Sequence, residues 1–305
     1  MLADPSPAGG FLLANGQLVY VGGLALRPST IHLLALDGVT DTVLHEVAAN
    51  QSIEDVWTEP DALYVTIETR GDFRESALYR LPYEGGALVP LPELTAGVDW
   101  RDAVIVASDA DHFYVRFEDD LLRVSRATGQ VAKIFTKEAT FADYVLHDGT
   151  IWSTGGAGSD QLYQVPASAT NAEPTLQNVR CTGELAVNDA GIFCGMDRVE
   201  ADGTTTNLRV ALGVQATSTN ASALAASLSA EAFLGTKMFI AAGEGVHPIA
   251  EVDLETLEMT TLACGNVLWL TATDDAVYWV EGADRADEDL GQVGSQHMIL
   301  KRAPR

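Results

Sequence analysis

The chain has 305 residues, of which 47% are hydrophobic, so it can bury a large core as one or two domains. Its formal net charge of −25 excludes nucleic acid and anionic membranes as partners, because both would be repelled. The sequence contains no apolar run of the roughly 18 residues that span a bilayer, and we recognise no signal peptide at its start.

A short phrase recurs seven times along the chain, consisting of a Gly, Asp or Asn turn, an apolar residue and an aromatic residue. In chain order, the aromatic residues, here called the anchors, are Tyr20, Tyr64, Tyr114, Trp152, Phe193, Phe239 and Tyr278. Successive anchors are separated by 44, 50, 38, 41, 46 and 39 residues. This spacing is near the period of one four-stranded propeller blade.

Further strands surround each anchor. An apolar run such as AVIVAS (103–108) or VLWLTA (267–272) precedes it, and an alternating segment such as LYRLPYEGG from Leu78 follows it. The sequence therefore predicts an all-β fold, a seven-bladed β-propeller of four-stranded antiparallel blades in one domain over residues 1–305. We place the blades at approximately 11–50, 51–97, 98–138, 139–179, 180–219, 220–264 and 265–305.

The anchors are expected in the core between blades, because a lone four-stranded sheet cannot bury both of its faces. The closure of the ring is less defined. The seventh unit ends after ILKRAPR without a fourth strand, and residues 1–10 (MLADPSPAGG) are too rich in Pro and Gly to make a good strand. A weak closure, a three-stranded last blade and a shortened chain all satisfy the pattern.

The repeats DALYVT with LYRLPYEGG, and DAVYWV with ILKRAPR, resemble those of the YWTD-type β-propellers. They also resemble the propeller-like proteins of unassigned role that are abundant in myxobacteria and related bacteria, many of which carry a lipoprotein or secretory signal. The resemblance covers nearly the whole chain as a degenerate repeat. Such repeats define an architecture and leave activity open. What the resemblance implies is an extracytoplasmic, non-enzymatic binding role.

A candidate metal site comes from the innermost strands. Counting nine residues back from the anchors gives Asp55, Asp143 and Glu184 in one register, near the mouth of the central channel. Carboxylates brought together repel unless a cation neutralises them, and hard oxygen ligands suit Ca²⁺ or Mg²⁺. The alternative is three acids around a water-filled channel, with Arg101 balancing one of them.

Aromatic residues suggest a candidate ligand-binding rim. Trp57, Trp100 and Trp269 fall on innermost strands or just before them, and Arg101 follows Trp100 directly. Such rings stack on sugars or apolar ligands when they are exposed, although tryptophans at these positions are more often part of the core.

The three cysteines, Cys181, Cys194 and Cys264, fit neither a disulfide framework nor a zinc spacing. Simple hairpin register places Cys194 opposite Leu185 rather than Cys181, so we expect three buried free thiols. A bridge between Cys181 and Cys194 in an oxidising compartment is the alternative.

Two functional hypotheses follow. The first is an extracytoplasmic, monomeric propeller that acts as a non-enzymatic scaffold for an unknown protein or small molecule. The second is a propeller lyase or hydrolase that uses a divalent cation in the channel, with His147 as its base.

Overall fold

The computed structural model describes residues 12–24, 27–36, 40–71, 74–96, 98–136, 141–155, 161–181, 185–200, 202–208, 228–242, 247–265, 267–282 and 298–305. Blades 1 to 3 contain β1 (Leu12–Ala14), β2 (Gln17–Leu24), β3 (Arg27–Ala35), β4 (Asp41–Glu46), β5 (Gln51–Thr58), β6 (Ala62–Arg70), β7 (Arg74–Pro82), β8 (Val89–Pro90), β9 (Ala103–Ser108), β10 (His112–Phe117), β11 (Asp120–Ser125) and β12 (Val131–Thr136). Blades 4 to 7 contain β13 (Phe141–His147), β14 (Thr150–Gly155), β15 (Gln161–Pro166), β16 (Thr175–Arg180), β17 (Leu185–Asn188), β18 (Gly191–Cys194), β19 (Asp197–Val199), β20 (Thr205–Asn207), β21 (Leu228–Leu234), β22 (Lys237–Ala242), β23 (His247–Asp253), β24 (Met259–Gly265), β25 (Val267–Ala272), β26 (Ala276–Gly282) and β27 (Met298–Pro304). A short helix, α1 (Pro92–Thr95), follows β8.

These strands form seven separate antiparallel sheets, in each of which sequence neighbours pair. The predicted seven-bladed β-propeller is therefore confirmed. Blades 1 to 6 have four strands, whereas blade 7 has three strands within the described residues, in the order β25, β26, β27. Residues 1–10, on which the choice between the possible closures depends, lie outside the described residues.

Tight turns join the first and second strands of the blades. Asn15 and Gly16 connect β1 to β2 with φ values of 48° and 68°, and Asp148 and Gly149 connect β13 to β14 with values of 46° and 69°. Two consecutive residues with positive φ match the right-handed twist of the strands they join, and Asn-Gly and Asp-Gly tolerate this conformation best. The polar turn before the anchor therefore closes the first hairpin of blades 1 and 4.

The hydrophobic core is divided into seven clusters, one between each pair of neighbouring blades. Five of the seven anchors are almost fully buried, and Tyr64 and Trp152 are half-buried in the same interfaces. This arrangement confirms the predicted inter-blade role of the anchors Tyr20, Tyr64, Tyr114, Trp152, Phe193 and Phe239. The ring closes through side chains, since Leu18, Tyr20 and Leu34 of blade 1 pack with Val280 of blade 7.

A β-bulge interrupts the innermost strand of five blades at nearly the same level. The unpaired residues are Glu54, Val106, Ser229 and Leu268, together with residues 142–143 of blade 4. A bulge shifts the alternation of side chains by one residue. In β5, Ile53 consequently packs towards blade 1, whereas Trp57 packs towards blade 3. Asp55, on the same side of the bulge as Trp57, is directed to blade 3.

A disulfide joins Cys181 to Cys194 and links blade 4 to blade 5. The register prediction is right, because Cys194 lies opposite Leu185. The expectation of three buried free thiols is wrong. Cys181 lies on the connection after β16, so it reaches Cys194 across the interface between blades and not along a hairpin. Cys264 is free and exposed, not buried.

Within the described residues, no helix is both long and apolar enough to cross a membrane.

Candidate functional site

The candidate site is formed by three residues on blades 2, 3 and 4. Asp55 is on the innermost strand β5, Tyr144 is on the innermost strand β13, and Arg116 is on β10 between them. All three side chains are half-buried. The charge of Arg116 acts on both Asp55 and Tyr144. We call these three residues the channel cluster.

Burial dominates the electrostatics of the channel cluster. It raises the pKa of Asp55 to about 6, and a backbone hydrogen bond from Val56 and the charge of Arg116 lower that pKa only in part. Burial also raises the pKa of the Tyr144 phenol, which Arg116 again opposes. At neutral pH the cluster therefore combines a guanidinium, a carboxyl group whose ionised form is destabilised by burial, and a neutral phenol. Buried groups with such shifted pKa values are typical of ligand-binding and catalytic sites.

The predicted cation ligands are only partly visible. Asp55 belongs to the channel cluster, and Asp143 lies on β13, where its carboxylate accepts a hydrogen bond from Thr154 Oγ1 at 3.4 Å. Glu184 lies outside the described residues. Among those residues, no group of three or more His, Cys, Asp or Glu side chains is arranged to hold a metal ion. Arg116 supplies the positive charge at Asp55, and the Ca²⁺ or Mg²⁺ site stays a prediction.

His147, the proposed base of the enzyme hypothesis, is the last residue of β13. Its Nε2 lies 3.7 Å from Asp148 Oδ2 and 3.8 Å from Asp189 Oδ1, both in turns between the first and second strands of their blades. Four residues of strand separate His147 from Asp143, which corresponds to about 13 Å. The structure therefore does not bring this histidine and this carboxylate together.

The predicted rim residues differ in how deeply they are buried. The Trp57 indole donates to Glu59 Oε1 at 3.0 Å and packs between blades 2 and 3. Trp100 is only 1% exposed, and its indole donates to the Leu94 carbonyl at 3.2 Å, so this ring lies in the core rather than at a rim. The side chain of Trp269 lies outside the described residues.

Arg101 is the rim candidate that reaches solvent. Its side chain is 49% exposed, and its Nε donates to both carboxylate oxygens of Asp99, at 2.9 and 3.1 Å. The ion pair raises the pKa of the Arg101 guanidinium. Arg101 therefore balances Asp99 and not, as the sequence suggested, one of the three predicted channel acids.

Sequence reasoning missed Arg116, although a signal for it exists. Arg116 stands two residues after the anchor Tyr114. The equivalent positions in the other six blades hold small or uncharged residues, which are Gly22, Thr66, Thr154, Gly195, Ala241 and Val280. Arg116 is the single charged residue at this position of the seven repeats, which is the signal that the sequence offered.

Comparisons with known proteins show no family for this chain. No family model and no curated protein match the chain. It is similar to the solved structure described as "Crystal structure of puromycin hydrolase", with 15% identity and a TM-score of 0.44, covering 92% of this chain and 41% of that one. It is also similar to one described as "Structural and Mechanistic Analysis of Two Prolyl Endopeptidases: Role of Inter-Domain Dynamics in Catalysis and Specificity", with 13% identity and a TM-score of 0.40, covering 98% of this chain and 40% of that one. The chain spans about two fifths of either structure, and likeness at this level carries no functional argument.

Proposed function

We propose that this chain is an extracytoplasmic, non-enzymatic binding propeller whose ligand contacts the channel cluster. The observation that carries the proposal is that the charge of Arg116, on blade 3, acts on both Asp55 of blade 2 and Tyr144 of blade 4. The resemblance of the repeats to YWTD-type and myxobacterial propellers supports the same role.

The chemistry of the channel cluster indicates the class of ligand. A guanidinium binds a carboxylate through two parallel hydrogen bonds. The Asp55 carboxylate accepts a hydrogen bond from a hydroxyl or amino group, and the neutral Tyr144 phenol both donates and accepts. A small molecule with a carboxylate next to a hydroxyl or amino group, such as an amino acid or a sugar acid, is chemically complementary to all three residues.

The disulfide supports a location outside the cytoplasm. Such bonds persist in oxidising compartments and are rare where thioredoxin and glutathione keep thiols reduced. The bond between Cys181 and Cys194 joins two blades, so it belongs to the framework of the fold.

A thermal-shift series tests the binding function. Amino acids and sugar acids are titrated against the chain, its Arg116→Met variant and, as a matched control, its Arg123→Met variant, since Arg123 lies on the outer side of the same blade and donates to the Ala167 carbonyl. We expect at least one ligand to raise the melting temperature of the chain and of the Arg123 variant but not of the Arg116 variant. Equal shifts in all three proteins would contradict the channel site.

The enzyme hypothesis is tested in the same series with EDTA, followed by Ca²⁺ or Mg²⁺. A shift with either cation that Asp143→Ala abolishes would favour the channel-cation enzyme over the binding propeller. We expect no such shift, because Arg116 already provides a positive charge at Asp55.

A further inference from the structure

Blade 1 contains four hydrogen-bonded side chains that are not part of the channel cluster. Tyr20 lies on β2, Thr30 and His32 lie on β3, and Asp41 is the first residue of β4. Thr30 and His32 are two residues apart on one strand, so their side chains are on the same face of the sheet. Tyr20 is the residue of β2 that lies opposite His32. We call these four residues the blade 1 network.

The Asp41 carboxylate fixes the tautomer of the imidazole. Tyr20 OH donates to Asp41 Oδ2 at 2.7 Å, and His32 Nδ1 lies 3.1 Å from Asp41 Oδ1. Burial and the hydrogen bond to Asp41 raise the pKa of the Tyr20 phenol, so the phenol remains a donor. Because an ionised carboxylate only accepts hydrogen bonds, the proton of the neutral His32 ring belongs on Nδ1. Nε2 then accepts a hydrogen bond from the Thr30 hydroxyl, whose Oγ1 lies 3.0 Å away.

Packing holds the imidazole and the hydroxyl in this geometry. The His32 ring stacks on the Tyr20 ring with centroids 4.6 Å apart, and only 8% of the His32 side chain is exposed. Gly22 lies opposite Thr30, and a Cβ at this glycine would be 2.8 Å from Thr30 Oγ1 and 3.0 Å from His32 Nε2. Only glycine therefore leaves the room that the pair occupies. Thr30 itself is half-buried, so part of this residue is accessible to solvent.

Blade 3 contains a similar network without the hydroxyl. Tyr114 OH donates to Asp109 Oδ2 at 2.6 Å, and His112 Nδ1 lies 3.2 Å from Asp109 Oδ1. Among the residues that the structure describes, no hydroxyl is hydrogen-bonded to the other ring nitrogen of His112. The Tyr-Asp-His arrangement by itself is therefore a structural feature that two blades share, and the hydroxyl of Thr30 distinguishes blade 1.

The order of groups in blade 1 is the one that activates a nucleophile. A hydroxyl is hydrogen-bonded to a base, and the base is oriented by a third group. The imidazole accepts the hydroxyl proton while the oxygen attacks an acyl carbon, and the carboxylate stabilises the imidazolium that forms. The formal net charge of −25 disfavours phosphate esters and acidic acyl groups as reactants. A small, uncharged acyl ester is the reactant that fits both the groups and the charge.

We propose that Thr30 is a site of covalent acylation by small, uncharged acyl esters, with His32 as the base and Asp41 as a positioning residue. A bond forms between Thr30 Oγ1 and the carbonyl carbon of the ester, and the bond from this carbon to the leaving alkoxide breaks. The hydroxyl proton passes through His32 Nε2 to the alkoxide, so the products are an ester on Thr30 and a free alcohol. The site lies on blade 1 and does not depend on ligand binding at the channel cluster.

The test exposes the full chain to p-nitrophenyl acetate and follows the acetylation of each residue over time by peptide mass mapping. We expect Thr30 to be acetylated, and we expect His32→Gln to slow this reaction by about 100-fold or more, since a positioned base contributes about this much. The matched control is His112→Gln, which removes an imidazole held by the same type of network and should leave the rate at Thr30 unchanged. Asp41→Asn should slow the reaction by about tenfold or more, and Asp41→Glu should restore part of the rate.

Two further variants separate a reactive hydroxyl from a structural one. Thr30→Ser keeps the hydroxyl and should still be acetylated at position 30, whereas Thr42→Val removes an exposed threonine of β4 and should change nothing at Thr30. The proposal would be overturned by a full chain that is acetylated on its amines but not at Thr30. It would also be overturned by equal rates at Thr30 in the chain and its His32→Gln variant, or by equal slowing in His32→Gln and His112→Gln. Equal rates in Asp41→Asn and Asp41→Glu would overturn the role of Asp41.

Discussion

Asp55 makes the stability of the chain depend on pH in a defined direction. Burial raises its pKa in the folded state to about 6, above the value of about 3.9 for an unfolded chain. Between these two values the folded state binds more protons than the unfolded state. The group therefore contributes stability below about pH 4, and this contribution is lost as the pH rises through about 6.

Replacing Asp55 by Asn should consequently stabilise the chain at pH 7.5, by about 1–3 kcal/mol, and leave its free energy of unfolding nearly unchanged at pH 4. Urea denaturation at both pH values measures the difference. Glu54→Gln serves as the control, since Glu54 is exposed in the same strand. A gain of the same size at both pH values would show that the ionisation of Asp55 is not the cause.

Glu59 and Arg126 form an ion pair between blades 2 and 3, and both side chains are largely shielded from solvent. Arg126 Nη2 lies 2.6 Å from Glu59 Oε1, and the two side chains are 20% and 11% exposed. The guanidinium also lies 4.1 Å from the centre of the Phe113 ring. Removal of one partner leaves a desolvated charge, so we expect Glu59→Ala to lower the free energy of unfolding by about 3–5 kcal/mol.

The matched control for Glu59 is Asp61→Ala, in the same turn. Asp61 pairs with Arg80 at 2.9 Å, but its side chain is 67% exposed. Exposed pairs contribute about 0–1 kcal/mol, so this variant should unfold at nearly the denaturant concentration of the original chain. If both variants lost the same free energy of unfolding, the burial of Glu59 would not be the reason for its contribution to stability.

At the scale of strands and turns, the sequence was a good guide to the blades. Each blade carries its own turn and anchor, as in the stretch from Asn15 to Tyr20, so one repeat predicts the others. The bulge at Glu54 could not be predicted, because one unpaired residue leaves the composition of β5 unchanged while redirecting Asp55. Of the channel cluster only Asp55 was found, because Arg116 and Tyr144 reach it across two inter-blade interfaces that no local pattern encodes.

The disulfide is an element-scale constraint that links the end of blade 4 to blade 5. Its two cysteines are 13 residues apart. Closing a loop of about 15 residues stabilises the folded state by about 3 kcal/mol through the entropy of the unfolded chain. We expect the double variant Cys181→Ser, Cys194→Ser to lose about 2–4 kcal/mol of unfolding free energy.

A thiol titration under denaturing conditions accompanies this measurement. The oxidised chain should show one thiol, that of Cys264, before reduction and all three afterwards. Cys264→Ser is the control, and it should keep its stability because the side chain is exposed. Three reactive thiols in protein purified from an oxidising compartment would contradict the bond.

At the scale of the whole molecule, the net charge of −25 means that the charged side chains repel one another on average. Folding increases this repulsion because it brings the charges closer together. Salt screens charges beyond about 10 Å at 0.1 M. We expect the melting temperature at pH 7.5 to rise when NaCl is increased from about 10 mM to about 150 mM, with about 2–4 °C for each kcal/mol of relieved repulsion. At pH 4 the rise should shrink, because many carboxylates are protonated there. A fall in melting temperature with salt would indicate that attractive ion pairs dominate.

The seven clusters between blades have a mechanical consequence. Six of these interfaces connect sheets that follow one another along the chain, whereas the interface of Leu18, Tyr20 and Leu34 with Val280 connects the first sheet to the last by side-chain packing. Under mechanical load or heat, the propeller should therefore open first at the interface between its first and last blades. The other six interfaces would stay intact, so the ring can close again once the load is removed.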